Sequence, residues 1–216
     1  MKTVLYTPID IDYTPPTEED IIDWFEEFKM TDTSYNEYVK NRHVWATVAV
    51  RGKPKDWYHF DCFSEHWGAN RTYVEGEETY FHPGFAERFP SLYNLIKALP
   101  FKQIGGVVML KQLGPVPEHK DTADLYSPPE PAKYRVYLTD PKHNTFYLRH
   151  NGKKIFPQFD DQSRCFAFDN SAAEHGADPT NRTKILLSMT GVLDVEKHQE
   201  LIARSVEKFK DRVIYS

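Results

Sequence analysis

His119 and Asp121 are the residues of this 216-residue chain whose types and spacing best suit a metal ion. In an extended strand, side chains at positions i and i+2 point to the same face, so one strand end can present both to one ion. His175, further along the chain, offers a third ligand if a neighbouring strand brings it close. Two histidines and one carboxylate occupy one face of a metal and leave its other positions open.

Strand-like segments surround these residues and predict how they could meet. An apolar run from Gly106 to Leu113 precedes His119 and is typical of a buried strand. Further strands are predicted at 134–139, 144–149, 164–169 and 184–190, with turn signals such as Asn151-Gly152 between them. Short strands at spacings of about ten residues favour a β-sandwich or barrel. His175 is expected in a short loop between the last two strands.

A face of two histidines and one carboxylate is the arrangement associated with non-haem Fe(II) oxygenases. A co-substrate carboxylate would then need a fixed cation, and Arg182 and Lys184 share a face if the last strand begins that early. Arginine gives a carboxylate a bidentate fork and lysine gives a point charge. The alternative is a solvated strand edge, where charges discourage aggregation.

A second His-x-Asp pair, His59 and Asp61 with His66 close behind, lacks this context. It lies among aromatic residues between Trp57 and Trp67, and no strand with a basic start follows at a suitable distance. We therefore expect an aromatic cluster there, packed or lining a substrate pocket, and not the metal site.

These residues resemble the 2-oxoglutarate/Fe(II)-dependent dioxygenases and, more narrowly, the aspartyl/asparaginyl β-hydroxylase branch. The most specific stretch is Phe166-Ala-Phe-Asp-Asn-Ser171 with Glu174-His175. The other matching stretches are Phe89-Pro-Ser-Leu92, Pro117-Glu-His119, Tyr134-Arg-Val-Tyr-Leu138 and Lys184-Ile-Leu-Leu187. The similar region covers about residues 85–194.

The resemblance implies roles for individual residues. The iron ligands would be His119, Asp121 and His175. Lys184 or Arg182 would bind the distal carboxylate of 2-oxoglutarate, with a slight preference for Lys184. Arg135 aligns with a family arginine near the co-substrate.

Two departures from the branch stand out. Asp121 occupies a position where some members have glycine, which weakens the transfer of an aspartyl substrate. Tyr137 stands where that branch has a histidine. The implied reaction uses Fe(II), 2-oxoglutarate and O2 to hydroxylate a C–H bond. The substrate would be an Asp, Asn or Pro side chain in a peptide or protein, or a small molecule.

The predicted fold is mainly β with flanking helices around a double-stranded β-helix core, a jelly-roll of the cupin-like kind. We expect a single domain over residues 1–216. Its β-helix core would span about 100–192, with strands and helices in 1–99 and a C-terminal helix over 194–212. Residues 1–16, rich in proline, are expected to run extended along the surface.

The composition of the chain limits the kinds of partner and cellular location that we expect. The net charge is −5 and no long basic run occurs, so nucleic-acid binding is not expected. Only Cys62 and Cys165 are present, which excludes a disulfide framework or a zinc cluster. The chain contains no apolar run long enough for secretion or a membrane span, so a cytoplasmic protein is expected. The apolar stripe of the C-terminal helix could pack within the chain or form a homodimer.

Two other functions are also compatible with the sequence. One is a metal-dependent cupin enzyme without 2-oxoglutarate, which would not need the basic pair. The other is a non-enzymatic jelly-roll binding module that uses the aromatic stretch from Trp57 to Trp67. The proline-rich segment 122–132 is either a cover over the substrate or an ordinary surface loop.

Overall fold

Two antiparallel sheets and four α-helices form the part of the chain that the computed structural model describes, namely residues 3–30, 43–54, 56–58, 73–120 and 132–216. The strands are β1 (Val4–Pro8), β2 (His43–Arg51), β3 (Thr79–Phe81), β4 (Phe101–Gln112), β5 (Val116–His119), β6 (Lys133–Tyr137), β7 (Phe146–His150), β8 (Lys153–Ile155), β9 (Cys165–Phe168), β10 (Glu174–Ala177), β11 (Ile185–Leu193) and β12 (Ile214–Tyr215). The helices are α1 (Glu18–Phe28), α2 (Phe85–Arg88), α3 (Pro90–Ala98) and α4 (Val195–Lys208), with a 3-10 turn at Pro141–His143.

The strand order confirms the predicted jelly-roll. The larger sheet runs β12-β1-β9-β6-β11-β4-β2-β3, and the smaller runs β5-β10-β7-β8. From β4 to β11 the chain passes repeatedly between them, because β4, β6, β9 and β11 lie in the larger sheet while β5, β7, β8 and β10 lie in the smaller. This interleaving of two antiparallel sheets is the double-stranded β-helix architecture. It places the end of β5 beside β10.

Side-chain alternation divides the larger sheet into two faces. On β11, Ile185, Leu187 and Met189 join the main core, which also contains residues of α1, α3 and α4. Leu186 and Ser188 point to the opposite face, towards the smaller sheet. A slip of one residue would exchange these two sets, so burial on the helix-covered face fixes the register. The face towards the smaller sheet remains available for a site.

The C-terminal helix α4 uses its apolar stripe within the chain. The side chain of Asp194 accepts a hydrogen bond from the backbone N–H of Lys197 and caps the helix start. Leu201 and Ile202 are buried in the main core. The helix ends at Lys208, short of the predicted residue 212, because the chain then turns so that β12 can pair with β1. In the described ranges, no helix combines the length and apolarity needed to cross a membrane.

Two local predictions were wrong. The segment 1–16 does not lie on the surface throughout, since β1 is buried and pairs with both β9 and β12. His175 does not lie in a loop but within β10, which pairs with β5 and β7. Cys165 lies buried in β9, and burial raises the pKa of its thiol to about 12.

Candidate functional site

His119 and His175 face each other across two paired strands. His119 is the last residue of β5, and its Cα is the direct partner of the His175 Cα in β10. The two imidazole ring centroids are 4.4 Å apart, with 49° between the ring planes. His175 is 2% exposed, whereas His119 is half-buried at the strand end. Strand pairing thus brings together two predicted ligands that are far apart in sequence.

Backbone carbonyls fix how both rings are protonated. The Nδ1 of His119 lies 2.8 Å from the carbonyl oxygen of Pro117, and the Nδ1 of His175 lies 3.4 Å from that of Ala173. A carbonyl oxygen can only accept, so each Nδ1 carries the hydrogen in this arrangement. In this arrangement the Nε2 lone pair of each ring is the one that would bind a metal, as in many metal-ligating histidines. The donor set of the pair therefore fits a metal ion.

A cavity of about 170 Å³ lies between the two sheets beside this pair. Alternate residues of β6, namely Lys133, Arg135 and Tyr137, line its wall on the larger sheet. His119, His175 and Phe146 line the wall on the smaller sheet. The further lining residues are His43, Trp45, Val108, Leu110, Gln112, Val116, Gly176, Ala177, Lys184, Leu186 and Ser188. The cavity is largely apolar, with cationic side chains placed in its walls.

Lys184 is the most deeply buried of the predicted co-substrate residues, at 5% exposed. Its Nζ donates a hydrogen bond to the Thr145 Oγ1 at 3.3 Å and lies 5.5 Å from the centre of the Tyr137 ring. Burial, and secondarily the charge of Arg135, lower the pKa of Lys184 to about 7. An anion bound here would offset both effects.

Arg182 lies elsewhere. It is exposed and borders a shallow surface hollow with His143 and Thr145, outside the cavity. The reason is local, because β11 begins at Ile185, so Arg182 precedes the strand and does not follow its alternation. The structure thus brings Lys184, but not Arg182, to the face that His175 shares.

Arg135 lies in the cavity wall near His175, and its charge also acts on Lys184. Its guanidinium carbon lies 4.8 Å from the centre of the Phe168 ring and 5.7 Å from that of Phe146. The Phe168 ring in turn meets the His175 ring edge-on, with centroids 5.0 Å apart. Arg135 therefore lies in the same corner as His175, while its charge also acts on Lys184.

Several predicted residues fall outside the described ranges. Asp121 directly follows them, as does most of the proline-rich segment 122–132. His59, Asp61 and His66 also lie outside, although Trp57 and Tyr58 are described and pack around His82. Among the described residues alone, no cluster of three His, Cys, Asp or Glu side chains could hold a metal. The third ligand therefore stays a prediction.

Sequence reasoning missed Lys133, Tyr137 and Thr145 as cavity or near-cavity residues. Lys133 and Tyr137 carry a usable signal, because they share the strand alternation of Arg135. Tyr137 donates a hydrogen bond to the Asn144 side chain, and burial raises the pKa of its phenol. Thr145 carries no such signal, since only the pairing of the sheets brings it to Lys184.

Comparisons with known proteins do not assign a function to this chain. No protein-family model matches the chain, and no curated protein does either. Solved structures do match, among them a prolyl hydroxylase from Trichoplax adhaerens in complex with a hypoxia inducible factor oxygen degradation domain peptide fragment. That match has 13% sequence identity and a TM-score of 0.40, covering 84% of this chain and 78% of the other. A likeness of this size transfers no function.

Proposed function

We propose that this chain is an Fe(II)- and 2-oxoglutarate-dependent dioxygenase that hydroxylates a C–H bond. One observation carries the proposal: two histidines with backbone-fixed Nδ1–H groups face a buried cavity that also contains a buried lysine. The pair supplies metal ligands, and the lysine supplies an anchor for a carboxylate. A plain metal site would need no such lysine.

His119, His175 and Asp121 would hold the iron. Asp121 follows His119 by two positions, so a continued extended backbone would point both side chains to one face. Two imidazoles and one carboxylate suit Fe(II) and leave positions open. When bound there, iron with 2-oxoglutarate and O2 supplies the oxidising chemistry and yields succinate and CO2 as co-products.

Lys184 would bind the distal carboxylate of the co-substrate. Burial disfavours the charged form of the Lys184 ammonium group. A carboxylate that pairs with this ammonium group would offset the penalty, because the attraction between the two charges is strong in a medium of low dielectric. Thr145 Oγ1 holds the ammonium group in place. The rings of Tyr137 and Phe146, together with Leu186, exclude water from the cavity wall. Arg135 adds a second positive charge beside His175.

The substrate is proposed from the sequence resemblance. An Asp, Asn or Pro side chain within a peptide or protein is the class that we favour. We also propose that residues 1–216 form one domain, since the C-terminal β12 and the N-terminal β1 complete the same sheet.

The test is an anaerobic titration of the Fe(II)-loaded protein with 2-oxoglutarate, monitored by visible absorption. A weak charge-transfer band that grows with 2-oxoglutarate is the expected result, and His175→Ala should abolish it while the protein stays folded. Lys184→Met should weaken 2-oxoglutarate binding at least tenfold. The exposed Lys153→Met is the matched control, because it makes the same change outside the cavity.

Other results point to other functions. If iron binds but no band grows, the protein is better explained as a metal-dependent cupin without 2-oxoglutarate. If iron does not bind, the binding-module hypothesis takes its place. If Arg182→Met weakens 2-oxoglutarate binding and Lys184→Met does not, the co-substrate anchor is assigned to the wrong residue.

A further inference from the structure

A second cavity, of about 300 Å³, lies on the other face of the larger sheet from the histidine pair. Its walls come from the segment after β1, the loop before β9 and the end of α4. On β9, Cys165 lines this cavity and belongs to the main core, whereas Phe166 faces the smaller sheet. Successive strand residues point to opposite faces, so the sheet separates this cavity from the proposed iron site.

Tyr13 lines the second cavity and carries an unpaired hydroxyl group. The side chain is half-buried, but its hydroxyl oxygen is enclosed and has no hydrogen-bond partner among the described residues. The phenol interacts electrostatically with Cys165 and Asp161, which also line the cavity, so the hydroxyl end of the ring lies on the cavity side. Burial raises the pKa of the Tyr13 phenol, so the hydroxyl keeps its proton and can donate. A buried hydroxyl without a partner costs free energy that an acceptor would recover.

The floor of the second cavity is apolar. Ile9, Cys165 and Phe209 are buried there, and burial raises the pKa of the Cys165 thiol, which therefore stays neutral. Such a surface offers water no strong hydrogen bonds, and displacing loosely held water by an apolar group favours binding. The floor and the Tyr13 hydroxyl together suit a molecule with an apolar body and one oxygen acceptor.

The charges around the rim of the second cavity balance one another. Three carboxylates and three basic side chains lie at the described part of the rim or directly beside it, namely Asp10, Asp12, Asp161, Arg164, Arg204 and Lys208. Lys208 and Arg204 both bind the carboxylate of Asp10, while Arg164 binds that of Asp161. The charge of Asp12 also acts on Lys208. A charged ligand would therefore lose its hydration without gaining an unbalanced opposite charge, so the cavity favours an uncharged one.

We propose that the second cavity binds a small uncharged molecule that has an apolar body and an oxygen that accepts a hydrogen bond from Tyr13. The apolar body would lie on Ile9 and Phe209. Small ketones, esters and ethers belong to this class. Binding here is independent of the proposed reaction, because the described lining residues of the two cavities do not overlap.

The experiment uses four probes of nearly the same size: acetophenone, α-methylstyrene, benzoate and benzamidinium. The second has a methylene group in place of the ketone oxygen, and the last two carry a negative and a positive charge. Their binding to the full chain is measured by ligand-observed NMR, and nuclear Overhauser effects locate the bound acetophenone. We expect contacts of acetophenone with Ile9 and Phe209, and binding of the two charged probes that is at least tenfold weaker.

Tyr13→Phe removes only the hydroxyl group and keeps the ring that packs against the core. This variant should bind acetophenone roughly three- to tenfold more weakly, which is the range expected for one hydrogen bond, and should bind α-methylstyrene no more weakly. The exposed Tyr80→Phe is the matched control and should change neither affinity.

Four results would each overturn the site. They are contacts of acetophenone with the cavity that contains His175, equal losses of the ketone and the alkene in Tyr13→Phe, a charged probe that binds as tightly as acetophenone, and no binding of acetophenone at millimolar concentration. Saturating 2-oxoglutarate should leave the acetophenone affinity unchanged. If 2-oxoglutarate gives no band with Fe(II) while acetophenone binding still depends on Tyr13, the proposed reaction fails and this site stands.

Discussion

Replacing Lys184 by methionine should make the ligand-free protein more stable at neutral pH and should flatten its response to alkaline pH. Lys184 is 5% exposed, and burial followed by the Arg135 charge lowers its pKa from 10.5 to about 7. Methionine keeps an unbranched, flexible side chain of similar length without a charge, so it can fill the same space. The folded variant then no longer bears the free-energy cost of burying an ammonium group away from water.

Proton linkage sets the sign and the size of the effect. Between pH 7 and 10.5 the unfolded chain holds a proton on this amine that the folded protein has released. The unfolded state binds more protons there, so the free energy of unfolding rises with pH, by up to about 1.4 kcal/mol per pH unit. Below about pH 7 both states are protonated and the destabilisation is complete. From about pH 7.5 to 9.5 the wild type should gain roughly 2–3 kcal/mol from this group.

The assay is urea unfolding at a series of pH values, in the presence of a chelator and without 2-oxoglutarate. Tryptophan fluorescence gives the signal, since Trp24 is buried in the core. The quantity of interest is the stability of Lys184→Met minus that of the wild type, because other titrating groups cancel in this difference. The exposed Lys153→Met serves as the control and should give no such trend.

The expected difference favours the methionine variant most near pH 7 and shrinks as pH rises. Two parallel stability curves would refute the reasoning, because they would mean that Lys184 keeps its proton in the folded state. A variant less stable than the wild type at every pH would show that the ammonium group stabilises the fold.

Three further predictions concern the same sheets. Above about pH 7, binding of 2-oxoglutarate should take up a proton at Lys184, so calorimetric affinity should fall by up to about tenfold per pH unit. Gly176→Ala should lower both the melting temperature and the metal affinity of the protein. The new Cβ would lie 2.8 Å from the Val116 carbonyl oxygen and would push β5 away from β10. An unchanged metal affinity would contradict this prediction. Tyr134→Phe should cost about 1–2 kcal/mol in urea unfolding, since it removes a buried 2.7 Å hydrogen bond to His198, yet leave 2-oxoglutarate binding intact.

The fold class was predictable because it depends on local signals. Short strands separated by turn residues predict a jelly-roll, and the strand order confirms it. The pairing of β1 was not predictable in this way. Pro8 and two later prolines suggested a surface segment, but β1 ends at Pro8 and its partners, β9 and β12, lie near the other end of the chain. Long-range pairing of this kind leaves no local trace.

The meeting of the two histidines was predictable only in outline. Alternating strands could bring His175 near His119, but Glu174–Ala177 is a short segment with small residues and little intrinsic strand preference. Its strand conformation depends on β5 and β7, which pair with it on both sides. The close approach at Gly176 is part of this pairing, since a side chain there would meet the Val116 carbonyl.

The rule that residues two apart share a face holds only where the backbone is paired in a sheet. The carbonyl of Lys184 accepts a hydrogen bond from the Gln112 N–H, so Lys184 follows the alternation of the sheet, whereas Arg182 precedes that first bond and is exposed. The start of pairing depends on where β4 ends, which the local sequence near Arg182 does not encode. In β6 the whole strand is paired, and there the same rule takes Arg135 and adds Lys133 to the cavity wall.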